Sequence, residues 1–471
     1  MKPTVLKSIG IALTIAFTSD LQAQPNIVFY LADDQDIGDY GCYGNERVQT
    51  PAVDRLAREG MRFTHAFTGQ AICAPSRSQL YTGNYPLRNG AFLNHVPVKD
   101  DQVSIASYLG NLGYEVILAG KSHVEPDSVF TWTEEWPTVD KDGVPREYIP
   151  LEKIESYFKS ADKPFCMFIA SMYPHGPYFE VEGASAESIK FYPYNQRFSD
   201  KQSEIDKKAG YYRSIEEDNA QLERVLELVD THLDPNTLFI YSSDHGVSGK
   251  YTVYDRGLNV PFVARWPGVI APGSLTDRLV HYTDILPTLV EIAGGTVPAE
   301  VNGKSFYPIL KGSAEPLHEY VYGVSTNQNI LAAKVFPSRM IRSHRYKYIR
   351  NLNALEVVEK NLGDNPRVNA FIRLGAQRYP NTPYEELYDL ENDPYEQINL
   401  AGDPRYAELQ EEMATQLLAW MKAQNDILSG EPGTMPLIHS HFKLDKPSKW
   451  NKVPAHLENT LQESDYLKLH F

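Results

Sequence analysis

Short apolar segments that end abruptly in polar residues limit the folds open to this chain more than any other feature. The first segment, Asn26 to Ala32, is almost entirely apolar and leads directly into Asp33 and Asp34. A continuous apolar run of this length is typical of a strand buried on both faces of a parallel sheet. Amphipathic helical segments alternate with such strands, at residues 51–59, 105–112 and 209–231. The alternation predicts an α/β fold with a large doubly wound, mainly parallel sheet.

Polar residues follow several of these strands. Asp33 and Asp34 end the first strand, Lys121 and His123 follow a later one, and His175 follows the run at residues 164–170. The carboxyl ends of parallel strands share one edge of an open α/β sheet, where ligands bind. The paired aspartates there suggest a hard cation such as Ca²⁺ or Mg²⁺.

Residues 73–83 read Cys-Ala-Pro-Ser-Arg-Ser-Gln-Leu-Tyr-Thr-Gly. Pro75 suits the first helical position, so Cys73 is expected at a helix N-terminus. Free N–H groups and the helix dipole favour an anion there. Arg77, one turn into the helix, adds a planar cation suited to an oxyanion. The stretch therefore combines a nucleophile, an anion-binding helix end and an arginine.

This stretch resembles the signature of the formylglycine-dependent sulfatases of the alkaline phosphatase superfamily, Cys-x-Pro-Ser-Arg followed by Thr-Gly. In that family the cysteine is oxidised after translation to formylglycine (3-oxoalanine), whose hydrated aldehyde attacks sulfur and gives a covalent sulfo-enzyme. Further matching pieces include residues 120–123, 174–175, 243–246, 302–306 and 386–390. The resemblance covers residues 26–401 and implies an alkaline phosphatase-like catalytic domain.

The resemblance also implies roles for individual residues. Calcium ligands would be Asp33, Asp34, Asp244 and His245, with the modified Cys73 beside the ion. Many members of the family carry Asn where this chain has His245, and others carry the same Asp-His pair. The residues that would hold sulfate and handle protons are Arg77, Lys121, His123, His175 and Lys250. His123 would take a proton from modified residue 73 to release sulfate, and His175 with Lys250 would protonate the leaving atom.

Two further residues are candidates for substrate binding. Many members of the family read Glu-Gly-Gly where this chain has Asp255-Arg256-Gly257, and Arg256 is a candidate to bind a substrate carboxylate. An ordinary surface arginine is the alternative interpretation. His95, downstream of the signature, is the second candidate.

The alternation of buried strands and helices ends at about residue 335. A predicted antiparallel hairpin at residues 340–349, a short strand at 386–390 and a helix at 404–424 form a smaller α+β unit. The predicted organisation is a signal peptide at 1–23, a catalytic domain at 24–335, the C-terminal α+β domain at 336–430 and a tail at 431–471.

The N-terminus and the charge balance bear on location and partners. Lys2 and Lys7 precede a short apolar stretch, and Leu21-Gln22-Ala23 resembles a cleavage site, so a periplasmic or secreted protein is expected. The formal net charge of −16 argues against non-specific binding to nucleic acid or to an anionic membrane. Three widely spaced cysteines do not form a disulfide framework.

The leading prediction is a sulfatase that acts on a sulfated oligo- or polysaccharide after activation by a formylglycine-generating or sulfatase-maturing enzyme. Sulfate esters of algal polysaccharide and the O- or N-sulfates of glycosaminoglycans both remain open, although residues 120–124 resemble the heparan N-sulfatases. The alternatives are a phosphonate or phosphate monoester hydrolase of the same superfamily and a non-catalytic binder of sulfated glycan. Thirty tyrosines would suit stacking on carbohydrate.

Overall fold

The structure is a computed structural model. It describes residues 24–189, 201–325, 337–352, 383–426 and 428–430. The predicted signal peptide and the predicted tail lie outside these residues. Within the described ranges, no helix combines the length and the apolar character needed to cross a membrane.

The central sheet has nine strands in the described part of the chain. They are β1 (Asn26–Ala32), β2 (Met61–Phe67), β3 (Glu115–Gly120), β4 (Glu134–Trp136), β5 (Phe165–Ala170), β6 (Thr237–Ser243), β7 (Asn259–Arg265), β8 (Ser274–Thr276) and β9 (Val280–His281). Their order is β4-β3-β5-β1-β6-β7-β2-β8, and β9 also pairs with β2. The predicted mainly parallel sheet is confirmed.

The described helices flank this sheet or join its strands. They are α1 (Pro51–Glu59), α2 (Cys73–Thr82), α3 (Pro86–Asn89), α4 (Ile105–Asn111), α5 (Leu151–Ser160), α6 (Ala186–Ile189), α7 (Gln202–His232), α8 (Asp255–Leu258), α9 (Ile285–Ile292), α10 (Tyr307–Leu310) and α11 (Ala407–Ala423). Helix α7 begins at Gln202 rather than at the predicted residue 209, because its first two turns are mostly polar and add little to the apolar pattern.

Strand β7 departs from the parallel pattern and runs antiparallel to both β6 and β2. The connection from β6 to β7 contains only the four-residue helix α8. A parallel neighbour needs a longer crossover, usually through a full helix. Because β2 is antiparallel to β7 in turn, the carboxyl ends of β1, β2 and β6 still meet at one edge.

Alternate residues of β1 pack into two separate cores. Phe29 and Leu31 belong to the core on one face of the sheet, and Val28 and Tyr30 belong to the core on the other. All four are fully buried. Helices cover both faces, so the strand needs no polar face and its sequence is continuously apolar.

A second, antiparallel sheet follows, with the order β10 (Val321–Ser325), β11 (Ser338–Arg342), β12 (Tyr346–Asn351) and β13 (Glu385–Asp389). Helix α11 packs on it through Met413 and Leu417, which share a core with Ile341 and Leu387. The smaller C-terminal sheet is thus present as predicted. Its first strand precedes residue 335, and the exact domain boundaries stay predictions.

Candidate active site

Cys73 is the first residue of α2, and it follows a loop that leaves the carboxyl end of β2. All ten residues of this helix are buried. The Ser76 hydroxyl donates a hydrogen bond to the Asp244 carbonyl (2.6 Å). Thr68, in the loop before the helix, donates to the Ser76 hydroxyl (2.8 Å). These bonds fix the start of α2 against the end of β6.

The sheet brings the predicted acidic residues together. Asp33 and Asp34 follow β1, Asp244 follows the neighbouring β6, and all three are buried. The Asp34 N–H donates to Asp244 Oδ1 (3.0 Å), and the Asp244 N–H donates to the Ala32 carbonyl (3.0 Å). Adjacent parallel strands therefore set the spacing of the carboxylates, through one backbone hydrogen bond and one bond from a backbone N–H to a carboxylate.

Basic side chains accompany these carboxylates. Lys121 pairs with Asp33, and Lys250 Nζ donates to both oxygens of Asp34 (2.9 and 2.8 Å). Burial opposes ionisation of Asp33, but the Lys121 ammonium and the Arg77 guanidinium hold its pKa well below its usual range. Burial likewise opposes ionisation of Asp34, and His245 and Lys250 outweigh it and lower the pKa. Both carboxylates are thus anionic at neutral pH.

Arg77 differs from the two lysines in its exposure. Its side chain is fully buried, whereas those of Lys121 and Lys250 are 12% and 16% exposed. The guanidinium donates to Asp244 Oδ2 (3.2 and 3.3 Å) and to the Lys121 carbonyl (3.2 Å). The two lysines are therefore partly accessible to a ligand, whereas the fully buried Arg77 guanidinium contacts Asp244.

The donor atoms around Cys73 are arranged as a cation site would need. Ligand atoms of Asp33, Asp34, Cys73 and His175 lie within 4.8 Å of one another, and so do those of Cys73, Asp244 and His245. His245 Nε2 is 3.1 Å from Asp34 Oδ1. Three buried carboxylates form a donor set rich in the oxygen atoms that Ca²⁺ prefers. The residues present therefore fit a divalent cation. His175 was not predicted as a ligand, but its ligand atom lies in the same group as those of Asp33 and Asp34.

The Cys73 sulfur lies at the centre of this cluster. It is 3.4 Å from His245 Nε2, 3.6 Å from Lys250 Nζ and 3.7 Å from Asp33 Oδ1. Burial raises the pKa of the Cys73 thiol well above its ordinary value, and the carboxylates add to this although Lys121 opposes it. An unmodified Cys73 is therefore a thiol rather than a thiolate and a weak nucleophile.

His123 and His95 contact each other at the side of the site. His123 Nε2 is 3.0 Å from His95 Nδ1, and Asn94 Nδ2 is 3.1 Å from His95 Nε2. The Ala74 N–H donates to Asn94 Oδ1 (3.3 Å), which ties this segment to the start of α2. Burial and the charges of Lys121 and Arg77 lower the pKa of His123 to about 3, so this imidazole is neutral at physiological pH. His95 thus lies beside a predicted catalytic histidine, and its contact with substrate stays a prediction.

His175 has a partner that the sequence analysis missed. Arg146 Nη2 lies 2.8 Å from His175 Nδ1, and His175 Nε2 is 3.6 Å from Asp34 Oδ2. Arg146 comes from an irregular loop, and no sequence pattern indicates this contact.

Asp36 was also missed by the sequence analysis. Its carboxylate accepts a hydrogen bond from the Ser248 N–H (2.9 Å) and fixes the loop that carries Lys250.

Arg256 lies on α8, and this short helix packs closely against the segment that follows β6. A Cβ atom at Gly246 would come within 1.9 Å of the Arg256 carbonyl oxygen, so only glycine fits there. The Gly246 N–H donates to the Gly257 carbonyl (3.0 Å). Arg256 is thus held near Lys250 by its backbone, and binding of a substrate carboxylate by its side chain stays a prediction.

Comparison with known families gives two matches. The sulfatase family profile matches residues 25–295. The profile described as the C-terminal part of N-sulphoglucosamine sulphohydrolase matches residues 243–367.

Three known proteins are informative. An ulvan-active sulfatase from Formosa agariphila is 59% identical over 454 residues, which cover 96% of this chain and 91% of that protein. A solved protein in complex with its substrate D-glucosamine-2-N,6-O-disulfate superposes with a TM-score of 0.67 at 20% identity, over 87% of this chain and 99% of that chain. The phosphonate monoester hydrolase of Agrobacterium radiobacter superposes with a TM-score of 0.63 at 20% identity, over 85% and 96%. The two structures share the fold with this chain.

Proposed function

The chain belongs to the sulfatase family and is a sulfuric ester hydrolase, and we propose that it removes sulfate groups from sulfated carbohydrate through a formylglycine formed from Cys73. One observation carries the proposal: the Cys73 sulfur lies within 3.4 to 3.7 Å of His245, Lys250 and Asp33 at the start of a buried helix. A relative that is 59% identical over most of both chains is an ulvan-active sulfatase, which supports a carbohydrate substrate.

Conversion of Cys73 to formylglycine would replace a weakly nucleophilic thiol with a better nucleophile. A hydrated aldehyde at residue 73 provides a nucleophilic hydroxyl in a site where burial keeps the thiol protonated. A second hydroxyl on the same carbon stays available, and His123, neutral at physiological pH, is the proposed acceptor of its proton. Formation of formylglycine requires a maturing enzyme, which we propose as a partner of this chain.

We further propose that Ca²⁺ is the resident cation, with Asp33, Asp34, Asp244 and His245 as ligands beside residue 73. The ion would supply positive charge at the sulfuryl oxygens. Lys121 and Lys250, the two partly exposed lysines, would add their charge to the same oxygens. Arg77 would act as a positioning residue, because its guanidinium is fully buried and contacts Asp244 and Asp33.

His175 is the proposed donor of a proton to the leaving oxygen or nitrogen. Its Nε2 points toward Asp34, and its side chain is 30% exposed. A group that protonates a sugar hydroxyl must contact both the sulfate site and the incoming sugar, and a partly exposed histidine at the edge of the carboxylate cluster meets that requirement. His95 and Arg256 are proposed to contact more distant parts of the substrate.

The second candidate activity is hydrolysis of phosphonate or phosphate monoesters, since a phosphonate monoester hydrolase shares the fold. A panel experiment separates the two: sulfated oligosaccharides from ulvan and from glycosaminoglycans, together with phosphate and phosphonate monoesters, are incubated with protein co-expressed with a maturing enzyme, and products are read by mass. We expect loss of sulfate from at least one oligosaccharide, and no loss with Cys73→Ala. Faster cleavage of a phosphate or phosphonate ester than of every sulfate would favour the second activity.

The N-terminal segment supports a proposal on location. Residues 1–23 have the sequence pattern of a signal peptide, and we propose that the mature protein is periplasmic or secreted. N-terminal sequencing of the protein exported from a bacterial host tests this, and a mature chain that begins near Gln24 is expected.

A further inference from the structure

Tyr251 has an unusual backbone conformation for an aromatic residue. Its φ angle is 70°, in the left-handed region that residues with bulky side chains rarely adopt. Its N–H donates to the Ala71 carbonyl (3.0 Å), and its own carbonyl accepts the Ser325 hydroxyl (2.6 Å). Tyr251 is therefore tied both to the segment before Cys73 and to the end of β10. Strained conformations held in this way cluster at ligand sites.

Packing of the ring does not explain this conformation. Tyr251 is partly exposed and belongs to none of the hydrophobic clusters among the described residues. Its hydroxyl group makes no hydrogen bond to any described residue. Two other tyrosines, Tyr178 and Tyr254, do have partners within the fold. The Tyr178 ring packs edge-on against Tyr211 with centroids 5.3 Å apart, and the Tyr254 hydroxyl donates to Glu386 (2.9 Å). Tyr251 thus presents a hydroxyl group without a hydrogen-bond partner among the described residues, and an aromatic ring whose face lies toward the Lys250 ammonium.

The ring lies beside the cationic side of the active site. Lys250 Nζ is 5.9 Å from the Tyr251 ring centroid and 3.6 Å from Cys73 Sγ. Burial raises the pKa of the Tyr251 hydroxyl, Lys250 opposes this, and Cys73 and Asp34 raise it further. The phenol is therefore close enough to Lys250, Cys73 and Asp34 to interact with them electrostatically.

We propose that Tyr251 binds the sugar ring that carries the sulfate group, and that it gives the site its preference for carbohydrate sulfates. A tyrosine offers an apolar face to the C–H groups of a sugar and a hydroxyl to its oxygen atoms. With the sulfate held near Lys250, the neighbouring ring borders the space that the leaving group occupies. This inference rests on the proposed function and adds a specificity-determining residue to it.

Two variants separate the ring from the backbone that holds it. Tyr251→Asn removes the ring, and asparagine tolerates the left-handed conformation well, so no strain is added. Tyr251→Phe keeps the ring and removes only the hydroxyl, which makes it the matched control. Both are placed in a Cys73→Ala background so that binding is measured without turnover.

Calorimetry then gives dissociation constants for two probes: inorganic sulfate, and an ulvan oligosaccharide that the wild-type enzyme desulfates. Tyr251→Asn is expected to weaken binding of the oligosaccharide by roughly tenfold to a hundredfold, the effect of losing one aromatic ring that the bound sugar would cover. Binding of inorganic sulfate, which is too small to cover the ring, should change by less than about threefold. Tyr251→Phe should retain most of the oligosaccharide affinity.

Three results would overturn the inference. Equal losses for both probes would show that the ring only supports Lys250. Unchanged affinity for the oligosaccharide would show that the ring does not contact it. A clear drop in the melting temperature of Tyr251→Asn would show a structural role, since removal of strain should keep or raise stability. Failure of the proposed function is distinct, because wild-type protein would then release sulfate from no carbohydrate.

Discussion

At the scale of single residues, the site depends on the charge balance around Cys73. Asp33 and Asp34 are buried side by side, and each is paired with a lysine, Lys121 or Lys250. Buried carboxylates of this kind are stable only when cations accompany them. The side chains of both lysines are also partly exposed, so the same two charges that keep the carboxylates ionised can contact a sulfate group. Structure and proposed chemistry thus use the same residues.

His175→Ala provides a test of the division of labour between the two histidines. A sugar hydroxyl is a poor leaving group and needs a proton, whereas a nitrophenolate leaves without one. We expect kcat/KM for a carbohydrate sulfate to fall by about a hundredfold or more, with a much smaller loss for 4-nitrophenyl sulfate. His123→Ala is the control and should slow both substrates alike. Equal losses for His175→Ala on the two substrates would contradict the assignment.

At the scale of secondary structure elements, a buried ionic cluster ties the second sheet to the turn next to the active site. Lys347 on β12 is fully buried and contacts Asp255 (2.9 Å) and Glu396 (2.6 Å). Arg342 on β11 contacts the other Asp255 oxygen (3.0 Å). Asp255 opens α8, which packs against the Gly246 segment. The C-terminal unit therefore supports the loop that carries Lys250.

Lys347→Met is expected to destabilise the protein by about 3 to 5 kcal/mol, because it leaves the buried Glu396 without its cation and leaves Asp255 with Arg342 alone. The matched control is Arg345→Met on the turn between the same two strands. Arg345 pairs with Asp389 but its side chain is 46% exposed, so the loss there should be below about 1 kcal/mol. Urea denaturation followed by circular dichroism measures both. Similar stability of the two variants would show that the buried cluster is not a structural support.

Strand ends and interior contacts differ in how far the sequence predicts them. Asp33, Lys121 and Asp244 were placed correctly at one edge of the sheet, because each directly follows an apolar strand of recognisable length. The antiparallel direction of β7 was not predicted, since a buried apolar run reads the same in either direction. Arg146 was missed because it belongs to an irregular loop 29 residues before His175 and reaches it only through the tertiary fold.

At the scale of the whole molecule, the proposed cation links residues from two strands of the central sheet. Asp33 and Asp34 directly follow β1, and Asp244 and His245 directly follow β6. A ligand that binds only the folded state stabilises it, by about 2.7 kcal/mol at one hundred times its dissociation constant. Metal binding should therefore contribute to global stability as well as to activity.

Removal of the cation with a chelator is expected to lower the melting temperature and abolish sulfate release, and added Ca²⁺ should restore both. Asp244→Asn should have a lower melting temperature than the wild type, and its melting temperature should respond little to Ca²⁺ or chelator. Differential scanning calorimetry with elemental analysis is the measurement. Full activity and an unchanged melting temperature in protein shown to be free of metal would contradict the proposed cation site.

The central claim is that the hydrolysis of carbohydrate sulfate requires formylglycine at residue 73. Preparations made with increasing amounts of a maturing enzyme should differ in the fraction of Cys73 that is modified, which peptide mass spectrometry quantifies. The rate of sulfate release from an ulvan oligosaccharide is then plotted against that fraction. The account predicts a straight line through the origin, because the buried thiol is not a competent nucleophile. A rate that is independent of the modified fraction, or full activity in protein that carries only unmodified Cys73, would contradict it.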